Sequence, residues 1–157
     1  MLMEVKLYIM DKILFLDRDG VINQKAPPHH HILSIQDFII LPRVKEALEL
    51  AKEKGYTIII ITNQRSVPKQ TYDLIHNYML ENLPEIDSIY VCPHENGECN
   101  CRKPLPGLFY QAELKYNVDK INSIMIGDSQ SDIDAATNYG IKSYLTTDLY
   151  SIVKEYL

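Results

Sequence analysis

Near its N-terminus the chain reads Ile13-Leu14-Phe15-Leu16-Asp17-Arg18-Asp19-Gly20-Val21-Ile22-Asn23. The first four residues are apolar without alternation, which is typical of a strand covered on both faces of a parallel sheet. Two carboxylates follow on a tight turn, with Gly20 behind them. Carboxylates two residues apart can converge on one hard cation. Their repulsion separates their pKa values, so one can attack ionised while the other donates a proton.

The rest of the chain alternates β-rich runs with helical patterns, which predicts a doubly wound (Rossmann-like) parallel α/β sheet with helices on both faces. The further strands are predicted at Thr57–Ile61, Ser88–Val91, Ser123–Ile126 and Lys142–Leu145. The helices are predicted to span 42–55, 66–80, 106–114, 132–139 and 148–156. Residues 22–41 lack periodicity and are too few for a cap domain. We expect one domain over 1–157, with residues 1–9 as a dispensable extension.

Polar residues follow the predicted strands, where doubly wound sheets bind their ligands. Thr62 and Asn63 end the second strand, and Cys92 ends the third. Asp128 ends the fourth, beside the first strand if the two are neighbours, where it would complete an oxygen-rich magnesium site. Asp132 follows as an acidic residue at a helix N-terminus, where the helix dipole favours it.

Bulk composition restricts the class of partner. The net charge is −5 and the pI is about 5.5, with no run of Lys or Arg, so a nucleic-acid partner is not expected. No segment approaches the roughly 20 apolar residues that span a bilayer, and the N-terminus lacks a signal-peptide cleavage site. A cytoplasmic protein acting on a small anionic substrate, as a monomer or weak dimer, fits these features.

Three cysteines and one histidine lie within ten residues, at Cys92, His94, Cys99 and Cys101. They supply the Cys₃His ligands of a closed tetrahedral zinc site, which is structural because it leaves no coordination position open. Free surface thiols are the alternative. Arg102 and Lys103 follow directly, so a zinc-stapled loop would hold two cations over the site, where they could stabilise a phosphoryl transition state.

Together these segments resemble the haloacid dehalogenase superfamily of phosphatases, from about Ile13 to Leu145. Within it, Asp-Arg-Asp-Gly, Thr-Asn-Gln, the Cys-x-His…Cys-x-Cys loop and Cys-Arg-Lys-Pro are similar to one branch. That branch contains the D-glycero-D-manno-heptose 1,7-bisphosphate phosphatases and the histidinol-phosphate phosphatases. The resemblance implies that Asp17 is the nucleophile and that Asp19 protonates the leaving oxygen and later activates water. It also implies a Mg²⁺ held by Asp17, Asp128 and the backbone carbonyl of Asp19.

The same resemblance assigns the remaining site residues. Thr62 and Lys103 would hold the transferring phosphoryl group, with Asn63 supporting it. Arg102 would reach toward the rest of the substrate, and Asp132 would anchor Lys103 or the metal site from behind.

The run Lys103-Pro104-Leu105-Pro106-Gly107 resembles the Lys-Pro-x-Pro-Gly run of the heptose enzymes, and this resemblance implies a heptose bisphosphate as substrate. Two segments depart from the heptose enzymes: His30-His31-Ile32 replaces a Gly-Tyr-Val-like segment, and Arg65–Lys69 replaces a Gly-containing turn followed by Arg. A related sugar phosphate therefore stays open. So does histidinol phosphate, which acidic residues such as Glu95 or Glu98 would favour. A non-catalytic, zinc-stabilised binding module is the third hypothesis, and the catalytic carboxylates and Lys103 argue against it.

Overall fold

Five parallel strands form one sheet in the order β3-β2-β1-β4-β5. The computed structural model describes residues 8–157. The strands are β1 (Ile13–Leu16), β2 (Thr57–Asn63), β3 (Ser88–Cys92), β4 (Ile124–Gly127) and β5 (Lys142–Leu145). The helices are α1 (Val44–Glu53), α2 (Lys69–Asn82), α3 (Gly107–Glu113), α4 (Gln130–Tyr139) and α5 (Leu149–Tyr156). The doubly wound prediction is confirmed.

The helix starts differ from the predicted ones by one to three residues, and two of these differences have a clear local reason. Helix α2 begins at Lys69 rather than at Ser66, because Ser66 has a left-handed φ of +64° and Pro68 occupies the N-cap in an extended conformation. Helix α4 begins earlier than predicted, at Gln130, because Ser129 is its N-cap. There the Ser129 and Asp132 side chains form a capping box.

Helices cover both faces of the sheet, and alternate residues of each central strand point to opposite faces. On one face Leu14 and Ile60 pack in a core with α1, α2 and α5. On the other, Phe15 and Ile59 pack with α3 and α4. Strands β1 and β4 are buried throughout, as the continuous apolar runs predicted, whereas the edge strands β3 and β5 are partly exposed.

The strand order places the topological switch point between β1 and β4. The chain winds from β1 to β2 and β3 on one side, then crosses to β4 and β5 on the other. The first and fourth strands are therefore neighbours, as a shared magnesium site requires. Ligands of such sheets bind in the crevice at this point, beyond the carboxyl ends of the strands.

No cap domain is inserted in the part of the chain that the structure describes. The segment between β1 and α1 contains neither helix nor named strand and is tied down by backbone hydrogen bonds. Gln24 N–H donates to Ile39 O at 2.8 Å, and Leu41 N–H donates to Ile22 O at 2.9 Å. Of the predicted extension, residues 1–7 lie outside the described residues. No helix in the described range 8–157 has the length and apolar character needed to cross a membrane.

Candidate active site

Asp17 is the first residue after β1 and lies in the crevice between β1 and β4. Its backbone N–H donates to Ile126 O at 3.1 Å, which fixes the chain where the two strands diverge. The residue is 8% exposed. Burial raises the pKa of Asp17 to about 7, with Lys103 opposing the rise and Asp132 adding to it. The carboxylate therefore needs further positive charge nearby to stay ionised at neutral pH.

Lys103 lies between two carboxylates and is buried. Its Nζ is 2.8 Å from Asp17 Oδ1 and 2.6 Å from Asp132 Oδ1, and it donates a third hydrogen bond to Ile61 O at 2.9 Å. Burial opposes the ammonium form, but Asp17 and Asp132 raise the pKa of Lys103 above its usual value. All three donors of the ammonium group thus have acceptors, which fixes its position beside Asp17.

Asp132 has both carboxylate oxygens engaged by protein groups. Oδ1 accepts from Lys103, and Oδ2 accepts from the backbone N–H of Ser129 at 3.2 Å and its hydroxyl at 2.9 Å. Gly127 makes this approach feasible, since a Cβ there would lie 2.3 Å from the Asp132 Cβ. Through these contacts Asp132 holds the Lys103 ammonium group in place.

Asp128 follows β4 and presents an unused oxygen. Its Oδ1 is buried without a hydrogen-bond partner among residues 8–157, while its Oδ2 pairs with Lys25 Nζ at 2.7 Å. A Cβ on Gly20 would lie 2.1 Å from Asp128 Oδ2, so the turn after Asp19 needs a glycine for close approach. Carboxylate oxygens of Asp17, Asp128 and Asp132 lie within 4.8 Å of one another. This donor set fits a hard oxygen-liganded cation such as Mg²⁺.

Asp19 is held by hydrogen bonds to both carboxylate oxygens. Oδ1 accepts from Arg18 Nη2 at 2.8 Å, from Arg18 Nε at 3.2 Å and from Asn23 Nδ2 at 2.9 Å. Oδ2 accepts from Gln64 Nε2 at 2.9 Å. Burial raises the pKa of Asp19, but Arg18 and these donors outweigh it and lower the pKa below its usual value. Oδ1 thus has three donors and Oδ2 has one, and the backbone carbonyl of Asp19 is the predicted metal ligand.

The end of β2 positions the loop that carries Lys103. The Asn63 side chain makes two hydrogen bonds to the backbone of Lys103. Asn63 Nδ2 donates to the Lys103 carbonyl at 3.2 Å, and the Lys103 N–H donates to Asn63 Oδ1 at 3.1 Å. Thr62 is buried, and its hydroxyl accepts from Gln64 Nε2 at 2.8 Å. Asn63 also lines the crevice, so it joins the carboxylate cluster to the residues after Cys101.

The four predicted zinc ligands come together. Cys92 Sγ lies 3.5 Å from both Cys99 Sγ and His94 Nδ1, and Cys101 Sγ lies 3.3 Å from the same nitrogen. All four ligand atoms are within 4.8 Å of one another. Tetrahedral zinc with Zn–S of about 2.3 Å and Zn–N of about 2.0 Å needs ligand separations of about 3.5–3.8 Å. The cluster fits zinc through Nδ1 of His94.

The cluster is tied to the site through α3 and the residues after Cys101. A Cβ on Gly107, the first residue of α3, would lie 2.3 Å from Asn100 O, so the loop packs directly on this helix. Arg102 Nε donates to Asn96 Oδ1 within the loop. Its Nη1 is buried and has no acceptor in the described part of the chain.

Two adjoining cavities open at this edge of the sheet. The smaller, about 290 Å³, contains the carboxylates and Lys103. The larger, about 540 Å³, is lined by the cations Lys25, Arg65 and Arg102 and by the histidines 29–31. Both cavities share Asp19, Lys25, Asn63 and Arg102. A substrate with one group at Asp17 can therefore extend into the larger cavity.

The sequence did not identify four residues that contact this site. Lys25 lies in the segment without periodicity and pairs with Asp128. Arg18 and Gln64 stand inside recognisable motifs, and both bond Asp19. His76, on α2, is 6% exposed and contacts Arg18. Only the motif positions of Arg18 and Gln64 offered a signal, since the other contacts depend on tertiary packing.

Comparison with known proteins agrees with this geometry. The family profile of the haloacid dehalogenase-like hydrolases matches residues 7–140. A Thermoplasma volcanium protein named probable D-glycero-D-manno-heptose-1,7-bisphosphate 7-phosphatase is 38% identical over 133 residues, 78% of this chain and 88% of that protein. A Photorhabdus laumondii D-glycero-alpha-D-manno-heptose-1,7-bisphosphate 7-phosphatase is 37% identical over 147 residues, 83% of this chain and 79% of that protein.

A solved structure gives the same result. The D,D-heptose 1,7-bisphosphate phosphatase of B. bronchiseptica, in complex with magnesium and phosphate, superposes with a TM-score of 0.83 at 28% identity. The match covers 92% of this chain and 97% of that one. The chain belongs to the haloacid dehalogenase-like hydrolases, and it is a phosphatase of that family.

Proposed function

We propose that this phosphatase is a Mg²⁺-dependent phosphomonoesterase that removes the 7-phosphate of D-glycero-D-manno-heptose 1,7-bisphosphate. The observation that carries the chemistry is the buried Asp17 carboxylate, bonded to Lys103 at 2.8 Å. Beside it lies an oxygen of Asp128 that has no hydrogen-bond partner among the described residues. The names of the relatives support the substrate, as does the Lys-Pro-x-Pro-Gly run that starts at Lys103.

In the first half-reaction, Asp17 attacks phosphorus and the ester P–O bond breaks. Asp19 donates its proton to the departing sugar oxygen. Negative charge on the substrate raises the pKa of Asp19 when it enters the site, which favours the protonated form that donates. Lys103 and Thr62 stabilise charge on the phosphoryl oxygens, and Asn63 holds the Lys103 backbone in place.

In the second half-reaction, Asp19 accepts a proton from water as the water oxygen bonds to phosphorus. The bond between Asp17 and phosphorus breaks, which releases inorganic phosphate and restores the enzyme. The lowered pKa of Asp19 favours the ionised form that this step uses. Mg²⁺, held by Asp17, Asp128 and the Asp19 backbone carbonyl, would supply positive charge for the phosphoryl group. Zinc on the Cys₃His cluster would be structural.

The cationic larger cavity favours a substrate with a second phosphate. Arg102 has a buried Nη1 that lacks an acceptor in the described range, and it lies where the two cavities meet. Lys25 and Arg65 also line this cavity, paired with Asp128 and Glu95 respectively. A sugar bisphosphate held by its reacting phosphate at Asp17 would bring its second phosphate to these cations.

A cationic substrate such as histidinol phosphate fits this cavity less well. Of the two acidic residues that would favour it, Glu95 already pairs with Arg65 at 3.4 Å and accepts from Ser66 at 3.2 Å. Glu98 Oε2 accepts from the backbone of Glu95. A non-catalytic zinc module would have no use for the buried ammonium at Asp17. Action as one domain, as a monomer or weak dimer in the cytoplasm without a nucleic-acid partner, stays a prediction.

The test is phosphate release from both anomers of D-glycero-D-manno-heptose 1,7-bisphosphate and from histidinol phosphate, with Mg²⁺ and with EDTA. Wild type and Asp17→Asn are assayed in parallel. We expect Mg²⁺-dependent turnover of a heptose anomer that the substitution abolishes. Turnover of histidinol phosphate alone would overturn the substrate, and a folded, metal-loaded protein without turnover of any of them would overturn the proposal.

A further inference from the structure

Behind the acid–base carboxylate lies a pair of buried side chains for which the reaction as described has no use. Arg18 is fully buried, and its guanidinium bonds two partners at once. Nη2 and Nε donate to Asp19 Oδ1, and Nη1 lies 3.0 Å from His76 Nε2. The contact joins the loop after β1 to helix α2, across 58 positions of sequence.

The chemistry of this contact fixes the state of the imidazole. A guanidinium has only donors and stays charged, so His76 Nε2 must accept, and the ring is neutral with its proton on Nδ1. A protonated ring would place a second cation and a second donor against Arg18. Burial, and then the charge of Arg18, lower the pKa of His76 to about 4, in agreement with this assignment.

The guanidinium has few other constraints on its orientation. The ring of Phe38 lies 5.7 Å from the guanidinium carbon. This contact supports the flat face of the guanidinium but does not fix how the guanidinium is turned within its own plane. His76 supplies the acceptor at the edge opposite Asp19. With this acceptor removed, Nη1 would be a buried donor without a partner, and the guanidinium would turn or draw in water to satisfy it.

The rotation of Arg18 matters because it determines which Asp19 oxygen can carry a proton. Oδ1 accepts three N–H groups, two from Arg18 and one from Asn23. Within residues 8–157, Oδ2 accepts one N–H group, from Gln64. Three donors on Oδ1 leave Oδ2 as the oxygen that can be protonated and can donate to a leaving group.

We propose that His76 is a positioning residue of the phosphatase reaction: by accepting from Arg18, it holds the guanidinium that orients the Asp19 carboxyl for proton donation. The inference rests on the proposed role of Asp19 as the general acid. His76 does not touch the substrate, and its effect passes through Arg18.

The dependence on the leaving group separates this role from a structural one. The value of kcat/KM reports steps up to departure of the leaving group. A sugar alkoxide needs protonation to depart, whereas p-nitrophenolate does not. A misoriented Asp19 therefore lowers kcat/KM for a sugar phosphate and spares p-nitrophenyl phosphate. Loss of folded protein lowers both values by the same factor.

The experiment measures kcat/KM with heptose bisphosphate and with p-nitrophenyl phosphate for wild type, His76→Leu and His76→Gln. Asp19→Asn is the benchmark for loss of the acid, and Ile75→Val is a control for destabilisation from the neighbouring buried position on α2. We expect His76→Leu to lose about ten-fold on the sugar phosphate and less than two-fold on the aryl phosphate, since general acid catalysis is worth about 10²–10⁴-fold in full. His76→Gln, whose amide oxygen can accept from Arg18, should stay close to wild type.

Equal losses on both substrates, or no loss, would overturn the inference. If Asp19→Asn in that case still lowers kcat/KM more for the sugar phosphate than for p-nitrophenyl phosphate, the proposed role of Asp19 survives. If Asp19→Asn is not selective either, the proposed reaction is wrong. Should His76→Leu fail to fold, Arg18→Lys makes the same test, because an ammonium cannot span both partners. The same selective loss is then expected, and a uniform loss would overturn the inference.

Discussion

Lys103 Nζ lies 2.8 Å from Asp17 Oδ1, with the Lys103 side chain 3% exposed. The same ammonium pairs with Asp132 at 2.6 Å. One residue therefore offsets two buried carboxylates and places positive charge where a phosphoryl group would meet Asp17. The contribution of Lys103 to stability and its proposed role in catalysis are therefore coupled.

Replacing Lys103 with Met should lower both the stability of the fold and the phosphatase activity. Two buried carboxylates would lose their ammonium partner, and breaking a buried pair from one side costs about 3–5 kcal/mol. The free energy of unfolding from urea titration measures this effect. Lys69→Met is the matched control, since that lysine is exposed and pairs with Asp73 on the surface of α2. Equal stability of the two variants would show that Lys103 is not buried as described.

Replacing Gly20 with Ala should weaken magnesium binding. The new Cβ would overlap Asp128 Oδ2, and Gly20 also has a φ of +88°. Gly97→Ala is the control, because Gly97 has a φ of +82° with no atom within 4 Å of the added Cβ. Both variants carry a backbone penalty of about 1 kcal/mol, but only the first displaces a carboxylate.

Calorimetric titration with Mg²⁺ separates these two glycines. We expect affinity to fall by about ten-fold or more in Gly20→Ala and to be retained in Gly97→Ala. A parallel loss in both variants would mean that backbone strain, not the contact with Asp128, accounts for the effect.

His76 should make stability fall as the solution is acidified. Its pKa is about 4 in the folded protein and about 6.5 when unfolded, so between these values the unfolded chain binds the extra proton. This contribution is present in full above about pH 6.5 and is lost as the pH falls toward 4, amounting to at most about 3 kcal/mol.

Urea titrations at several pH values between 7.5 and 4.5 measure the slope for wild type and His76→Gln. The variant has no titrating group at this position, so its stability should decline less over the same range. Superimposable pH profiles would show that His76 titrates normally and is not held neutral by Arg18.

The Cys₃His cluster should bind one zinc per chain and stabilise the loop before Lys103. Cys101→Ser should lose the metal and lower the melting temperature, while Glu98→Gln, in the same loop, should keep both. Elemental analysis and thermal melting give these values. Three freely titrating thiols in the wild type, together with an unchanged melting temperature in Cys101→Ser, would rule out a structural metal.

Much of the fold could be predicted from local sequence. Strands β1 and β4 are continuous apolar runs, since both faces are covered, and Gly55 and Gly140 end their helices with positive φ. Asp17, Asn63 and Asp128 fell into one site because each stands at the carboxyl end of a strand of the same sheet. This depends on the strands being parallel and on β1 lying beside both β2 and β4.

Contacts between distant segments could not be predicted in the same way. The bond between Arg18 and His76 depends on how α2 packs against the loop after β1. The pair of Lys25 and Asp128 depends on the path of a loop with no periodicity. Neither position differs locally from a solvated residue, so sequence pattern gave no signal for them.

The proposed reaction passes through a covalent phosphoryl group on Asp17, which an acid-quenched single-turnover experiment can detect. Enzyme loaded with Mg²⁺ is mixed with a smaller amount of heptose bisphosphate. The mixture is quenched during the reaction, and the protein is digested and mapped by mass spectrometry. We expect phosphate on the peptide containing Asp17, and none on that peptide in Asp17→Asn. Turnover without a phosphopeptide at any quench time would contradict this intermediate. Activity retained in Asp17→Asn would contradict it as well.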